Sequence, residues 1–179
     1  MDWRYDETGY VDRVRQVHVV PSAEAGQPRC LTSVPGGVSD IAWRVHPDYR
    51  GDQSLDKIAH AGMTGIDHPG RIFLGLSVYF RHTGTDGNRN DGLPQKLAGR
   101  IDRRLLKRAR IVGGALRVAH MLSIGMPGVI DETRLTYNGN KLVLTLPRAH
   151  ADLDGERLRR RFDVLASLLG HTGEIRLAP

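Results

Sequence analysis

The sequence predicts a mainly α-helical fold with a small β part (α+β), in which a helical region precedes a β-β-α-β appendage. Apolar residues recur every three to four positions over residues 54–83 and again over 100–123, which is the period of amphipathic helices. From residue 134 onwards they instead alternate with polar residues about Asn138-Gly139, a strong hairpin signal. One more helical stripe and a short alternating run close the chain. These patterns predict two parts within one protein, a helical part and a part that contains strands.

Length and composition limit the class of protein. A chain of 179 residues can bury one core with a small appended subdomain. Its hydrophobic fraction of 40% argues against wholesale disorder. The single cysteine, Cys30, excludes an internal disulfide framework and a multi-cysteine zinc site. With no signal sequence and no apolar run of about 18 residues, we expect a cytoplasmic protein without a membrane partner.

The charge balance indicates the chemistry of the partner. Twenty-six Lys and Arg against 20 Asp and Glu give a formal net charge of +6, and most of the cations are arginine. The planar guanidinium group grips phosphate oxygens in pairs, so phosphate-rich anions are the favoured partners. A merely basic surface is the alternative. A basic nucleic-acid-binding domain is a further alternative, suggested by charge alone. Because no helix-turn-helix spacing, RNP-like motif or zinc finger is visible, we do not expect nucleic acid to be the partner.

The chain divides into three parts by composition and by the periodicity of its apolar residues. Residues 1–38 are irregular and rich in Pro, Gly and Ser, although V-R-Q-V-H-V-V at 14–20 could form one strand. Residues 39–128 are predicted to form a helical domain, and residues 129–179 a small α/β subdomain. We expect function to reside in the second and third parts.

Two helices are predicted early in the helical part. The first follows a serine cap at Ser54, and the second follows an N-cap at Asp67 with Pro69 in its first turn. Because apolar groups surround residues 71–82 on all sides, the second helix should be central and buried, ending at Gly84.

A third helix is predicted over residues 100–123. Its cationic flank consists of Arg100, Arg104 and Arg108, which are spaced four residues apart and are expected to be solvated. Gly113-Gly114 costs about 1 kcal/mol per glycine in a helix interior, so a neighbouring helix should approach closely there.

The appendage begins with the hairpin. A two-residue turn at Asn138-Gly139 would place Leu135 opposite Leu142. Asp154 is then predicted to cap a helix that ends at Gly170, and E-I-R-L-A at 174–178 to supply a third strand. Arg159, Arg160 and Arg161 span nearly a full helical turn, so we expect them on the surface without a shared face.

A serine and an aspartate at positions 39 and 40 raise the question of a metal site. HD-type phosphohydrolases hold a metal with an adjacent His-Asp pair, a further His and a later Asp. Here Ser39 replaces the imidazole, so we predict no functional metal site. The residual metal candidates are Asp40, His60 and His82, although Asp40 as a helix cap or salt-bridge partner is the commoner role. Because these three residues could still bind a metal ion, an autonomous HD-type phosphohydrolase is kept as an alternative.

Three stretches carry a family resemblance: S-D-I-A-W-R-V-H-P-D-Y-R-G, then I-A-H-A-G-M-T-G-I-D-H-P-G-R-I-F-L-G-L-S-V-Y-F-R-H, then A-R-I-V-G-G-A-L-R-V-A-H-M-L-S-I-G-M-P-G-V-I. Over residues 39–179 the chain resembles the C-terminal region of the bacterial exopolyphosphatase/guanosine pentaphosphate phosphohydrolase (Ppx/GppA) family. The resemblance implies a degenerate HD-like helical domain with a β-containing tail. Residues 1–38 do not resemble it, so a truncated or wrongly started reading frame is our hypothesis for them.

The same resemblance implies a function without catalysis in this chain. In that family, two actin-like domains with glycine-rich D-x-G-S/T loops carry the reaction and imply Mg²⁺, and we find no such loop here. We therefore expect a C-terminal accessory domain with no cofactor of its own. It would extend a basic channel for polyphosphate and contribute to a homodimer; a preference for polyphosphate or guanosine pentaphosphate is left open.

Seven residues are the candidate polyphosphate contacts: Arg44, His46, Tyr49, Arg50, Arg71, Arg81 and His82. Five of them have a plainer interpretation. Arg44 can pair with Asp40, His46 and Tyr49 can lock their loop, and Arg81-His82 can complement the dipole at the end of a helix.

Overall fold

The computed structural model describes residues 17–18, 33–34, 41–85, 101–123 and 128–178. In the first half of the chain, strands β1 (Val17–His18) and β2 (Ser33–Val34) pair antiparallel. A 3₁₀ turn (Pro47–Tyr49) then leads into the helices, which are α1 (Arg50–His60), α2 (His68–Thr83) and α3 (Arg103–Ser123).

The second half contains the predicted β-β-α-β order. A short helix α4 (Val129–Glu132) precedes strands β3 (Arg134–Asn138) and β4 (Lys141–Leu146), then a 3₁₀ segment (Arg148–Leu153), helix α5 (Glu156–Leu168) and strand β5 (Thr172–Leu177). The sheet has the order β3-β4-β5, with β3 antiparallel and β5 parallel to β4. Because α5 connects the two parallel strands, it crosses one face of the sheet. The predicted mainly α architecture with a small β part is confirmed.

Glycines allow the helices of the first half to pack closely. Helices α1 and α2 run antiparallel, since Gly51 lies against Thr83 while Gly75 lies against Leu55. Helix α3 then covers α2, and a Cβ built on Gly113 would lie only 2.5 Å from the Phe80 Cβ. The close approach predicted at Gly113 is confirmed.

Helix α3 belongs to two hydrophobic cores. Its first half packs with α1 and α2 around buried side chains such as Ile58, Leu76 and Val78. Its second half, including Val118 and Leu122, packs with α5 and the sheet. A single helix therefore joins the helical part of the molecule to the α/β part.

The predicted helix ends are partly confirmed. The Asp67 Oδ1 accepts a hydrogen bond from the Gly70 N–H at 2.8 Å, and Gly84 adopts φ +97° at the end of α2. Helix α1 begins at Arg50, however, so the predicted cap Ser54 is inside it and fully buried. The predicted cap Asp154 is also wrong: Gly155 is the N-cap of α5 and makes no side-chain cap.

The hairpin register differs from the prediction. Asn138 pairs with Lys141, so the turn consists of Gly139, with φ +58°, and Asn140. Leu135 therefore lies opposite Leu144 rather than Leu142. Moving the turn by one residue shifts the pairing by two, which leaves every side chain on its predicted face of the sheet.

Within the described ranges, none of the helices has the length and apolarity that crossing a membrane requires.

Candidate anion-binding site

The loop before α1 presents two aromatic rings and two basic side chains to solvent. Trp43 and Tyr49 are 61% and 63% exposed. The Arg44 guanidinium lies 4.8 Å from the centre of the Trp43 ring. His46 Nδ1 accepts a hydrogen bond from the Asp48 N–H at 3.4 Å, and the His46 and Tyr49 rings are 6.1 Å apart. Arg44, His46 and Tyr49 are thus accessible, and the last two also shape their own turn.

Arg50 and Arg71 hold the backbone. The Arg50 Nε donates to the Val45 carbonyl at 2.8 Å, and its Nη2 donates to a second carbonyl in the same turn. The Arg71 Nη1 donates to the Ile66 carbonyl at 2.9 Å in the loop between α1 and α2. Both guanidinium groups are therefore engaged in satisfying loop carbonyls that would otherwise lack a partner.

The antiparallel hairpin of α1 and α2 separates the predicted contacts. Arg71 is near the start of α2, whereas Arg81 and His82 are in its last turn, about 15 Å further along the helix axis. Arg50, at the start of α1, is at the same end as Arg81 because Gly51 lies against Thr83. Arg71 is therefore apart from the other predicted contacts.

The same geometry applies to the metal candidates. His60 ends α1 and its Nδ1 is 2.8 Å from the Asp56 carbonyl oxygen, while His82 is near the end of α2. The two imidazoles are at opposite ends of the hairpin and do not converge. Asp40 lies outside the described residues. Among those residues, no group of three or more His, Cys, Asp or Glu could hold a metal ion.

Arg81 points towards α3. It is only 9% exposed, and its Nη2 lies 3.3 Å from His120 Nδ1. This contact brings one predicted residue to the side of α3 on which a further group of arginines gathers.

These arginines line a cavity of about 250 Å³ between the end of α2, α3 and α5. The described residues that line it are Thr85, Gly114, Arg117, Arg157, Arg160, Arg161 and Val164, and none of these is acidic. Four arginines from two helices therefore line one cavity, which we call the arginine pocket.

Helix α5 supplies three of the four arginines. Residues 157, 160, 161 and 164 have i, i+3, i+4, i+7 spacing, which places them on one face of a helix. Arg159 is on the other side of α5 and pairs with Asp154 at 2.6 Å. Arg159, Arg160 and Arg161 therefore do not share one face, as predicted, but Arg160 and Arg161 both lie on the pocket side of α5, a position that the sequence analysis did not assign to them. The spacing that includes Arg157 was the sequence signal that could have found the pocket.

Helix α3 supplies the fourth arginine, Arg117, whose charge acts on Arg161 of α5. A Cβ built on Gly84 would lie 2.6 Å from the Arg117 Nη1, so Arg117 lies directly against the end of α2. Burial lowers the pKa of the half-buried Arg161 guanidinium, and the nearby charges of Arg117 and Arg157 lower it further. The fold therefore holds like charges together in the pocket.

A line of arginines on α3 leads to the pocket. Arg103, Arg110 and Arg117 are seven residues apart, so successive members are displaced by only about 20° around the helix and about 10 Å along it. Arg103 is exposed, and the Arg110 guanidinium lies 5.4 Å from the centre of the Phe80 ring. We call these three residues the arginine line.

Comparison with known families decides what kind of domain contains this site. The family model described as exopolyphosphatase, C-terminal, matches residues 15–175. The chain belongs to this exopolyphosphatase C-terminal family. The match begins 24 residues before Ser39, so the prediction that residues 1–38 lie outside the resemblance is wrong from residue 15 onwards. No curated protein matches the chain.

The family assignment gives the arginine pocket its context. This exopolyphosphatase C-terminal domain is an accessory domain, and its described residues place a cationic cavity at the joint between its helical and α/β parts. Three of the pocket arginines are in the α/β part, where no contact was predicted from the sequence.

Proposed function

We propose that this exopolyphosphatase C-terminal domain binds polyphosphate in the cytoplasm as the accessory part of a phosphatase. Catalysis then belongs to the Mg²⁺-dependent actin-like domains of the family. The observation that carries the proposal is the arginine pocket, in which Arg117, Arg157, Arg160 and Arg161 surround one cavity. The net charge of +6 supports the same class of ligand.

The physical basis is the match between a linear polyanion and the arrangement of cations. Each guanidinium fork can pair with two phosphate oxygens, and each contact releases counterions from the polymer. A chain whose end occupies the pocket can continue along the arginine line past Arg110 to Arg103, which spans about 21 Å of α3. Several weak contacts along one chain then add in avidity.

Calorimetric titration with polyphosphates of defined length, at constant ionic strength, tests this function. Affinity should rise with chain length until the polymer covers the pocket and the arginine line. The double variant Arg160→Gln/Arg161→Gln should weaken binding at least tenfold. A matched control with the same loss of charge is Arg104→Gln/Arg148→Gln, because both of these arginines are exposed and neither belongs to the pocket or to the arginine line.

Two results of this titration would contradict the proposal. One is affinity that does not depend on chain length, and the other is equal weakening by the pocket variant and the control. Competition with duplex DNA at the same salt concentration separates a polyphosphate site from general attraction to polyanions. Polyphosphate should displace the DNA, and DNA should not displace polyphosphate from the pocket.

We also propose that β3 supports a homodimer. This strand is at the edge of the three-stranded sheet, all five of its residues are exposed, and Leu135 and Tyr137 are 49% and 43% exposed. Two copies could pair their β3 edges antiparallel about a two-fold axis. Sedimentation equilibrium should show a dimer that the exposed substitution Leu135→Lys weakens. A monomer at all concentrations would contradict this part of the proposal.

A further inference from the structure

The arginine pocket is at the joint between the two hydrophobic cores. Arg117 and Thr85 approach it from the side of the helical core, while Arg157, Arg160 and Arg161 approach it from α5. Beside the cavity, α5 packs on α3 through Leu165 and Leu168, which lie 3.6 and 3.5 Å from a Cβ built on Gly114. An anion in the cavity would therefore contact both parts of the molecule.

The charge and the volume of the pocket indicate the size of the ligand. Four arginines carry four positive charges, whereas a single orthophosphate carries only about two negative charges at neutral pH. Two adjoining phosphoryl groups present nearly twice as many oxygens and carry more negative charge. The cavity of about 250 Å³ has room for about eight water molecules, which is space for more than one phosphoryl group.

We propose that the arginine pocket is a specific site for a compact anion with two adjoining phosphoryl groups, and that its occupation fastens α5 to α3. This inference rests on the proposed function, because such a diphosphate unit is the repeating element of polyphosphate. It goes further by separating the pocket, which holds one unit, from the arginine line, which holds the continuing chain.

The fastening follows from the charges. Without a ligand, the Arg161 guanidinium is half-buried beside Arg117 of α3, and both this burial and the like charge of Arg117 oppose the docking of α5 on α3. An anion between the guanidinium groups replaces their mutual repulsion with charge-assisted hydrogen bonds. A ligand that binds only the docked arrangement must stabilise it, in proportion to its concentration relative to its dissociation constant.

Inorganic pyrophosphate is the probe that tests this site. Calorimetry should show one molecule bound per chain, and the unfolding temperature should rise with pyrophosphate concentration. Orthophosphate and sulfate at matched ionic strength should bind at least tenfold more weakly. Hydrogen exchange read by mass spectrometry should show added protection in peptides from Glu156–Leu168 when pyrophosphate binds.

Variants separate the site from the rest of the basic surface. Arg161→Gln should weaken pyrophosphate at least tenfold, and Arg157→Gln provides a second test because Arg157 is exposed and its replacement should not disturb folding. Arg148→Gln, exposed and outside the pocket, should bind pyrophosphate as the natural sequence does. Equal binding of pyrophosphate, orthophosphate and sulfate would overturn the inference, and so would unchanged binding by both pocket variants.

The inference and the proposed function fail in different ways. If long polyphosphate binds and pyrophosphate does not, the diphosphate site is wrong and the accessory polyphosphate function stands. If pyrophosphate binds at one site but longer chains bind no more tightly, the pocket stands and the chain-holding function is wrong.

Discussion

Gly113 of α3 lies against Phe80 of α2 so closely that no side chain fits between the helices. A Cβ at position 113 would be 2.5 Å from the Phe80 Cβ and 2.8 Å from the Ser77 carbonyl oxygen. Both neighbours are backbone or next to it, so rotation of a side chain cannot relieve the overlap. The crossing of α2 and α3, which positions Arg117 and Arg81, therefore depends on this glycine.

Gly113→Ala should lower the free energy of unfolding by up to about 2 kcal/mol. Alanine improves the helix by about 1 kcal/mol, but overpacking at a site without slack costs about 1–3 kcal/mol. Denaturant unfolding measures the difference. The neighbouring Gly114→Ala is the matched control, because its Cβ would meet Leu168 at an ordinary 3.5 Å and should leave stability unchanged or raise it by up to about 1 kcal/mol. Equal effects at the two positions would contradict this account.

The close contact between α2 and α3 was predictable because two glycines interrupt an otherwise favourable helical sequence. Two glycines in an otherwise regular helix have an evident cost, and a close neighbour is the common compensation. The first residues of α1 and α5 were not predictable in the same way. Ser54 has the residue type of a cap but fills a fully buried position on α1, and Asp154 instead pairs with Arg159. Packing and ion pairing outweighed capping preference at both residues.

Glu174 on β5 should make stability depend on pH in the acid range. Its carboxylate accepts a hydrogen bond from the Arg176 Nε and lies 2.9 Å from the Lys141 Nζ. These contacts, with Arg176 the larger cause, lower the pKa of Glu174 from 4.5 to about 2. A group whose pKa is lower in the folded state stabilises the fold above its unfolded pKa. This stabilisation is lost as the pH falls from about 4.5 to about 2.

Chemical unfolding of the natural sequence and Glu174→Gln at several pH values checks this expectation. The natural sequence should be more stable at neutral pH, and the difference between the two should shrink through the window from pH 4.5 to 2. High salt should reduce the difference at neutral pH, since the three side chains are at least partly exposed. A difference that stays constant with pH would show that the glutamate acts through packing.

Substitutions of Arg50, the first residue of α1, and of Arg44, in the loop before it, should differ in their effect on stability. Arg50→Gln removes charge-assisted hydrogen bonds to loop carbonyls and should destabilise the protein by about 1–3 kcal/mol. The folded variant should bind polyphosphate unchanged. Arg44→Gln removes only a ring contact of an exposed side chain, so stability should change by less than about 0.5 kcal/mol. Unchanged stability with tenfold weaker binding in Arg50→Gln would restore Arg50 as a ligand contact.

The basic character of the site could be predicted from the sequence, but its location could not. The net charge indicated a polyanionic ligand. One predicted contact, Arg81, lies beside His120 of α3, near the arginine pocket. The pocket itself requires α5 to pack against α3, a contact between residues separated by about 40 positions in the chain. The sequence pattern shows that Arg157, Arg160 and Arg161 share a face, but only the fold shows that Arg117 faces them.

Arg103 tests whether a polymer follows the arginine line beyond the pocket. Arg103 is exposed and about 21 Å along α3 from Arg117, so a pyrophosphate in the pocket cannot reach it. Arg103→Gln should leave pyrophosphate binding and stability unchanged while weakening long polyphosphate several-fold. Because one phosphate contact is lost, the slope of log affinity against log salt concentration should become shallower by about 0.7 for the long polymer. Arg148→Gln, with the same change in charge, should alter neither slope. If both substitutions flatten the slope equally, the polymer senses net charge and does not follow α3.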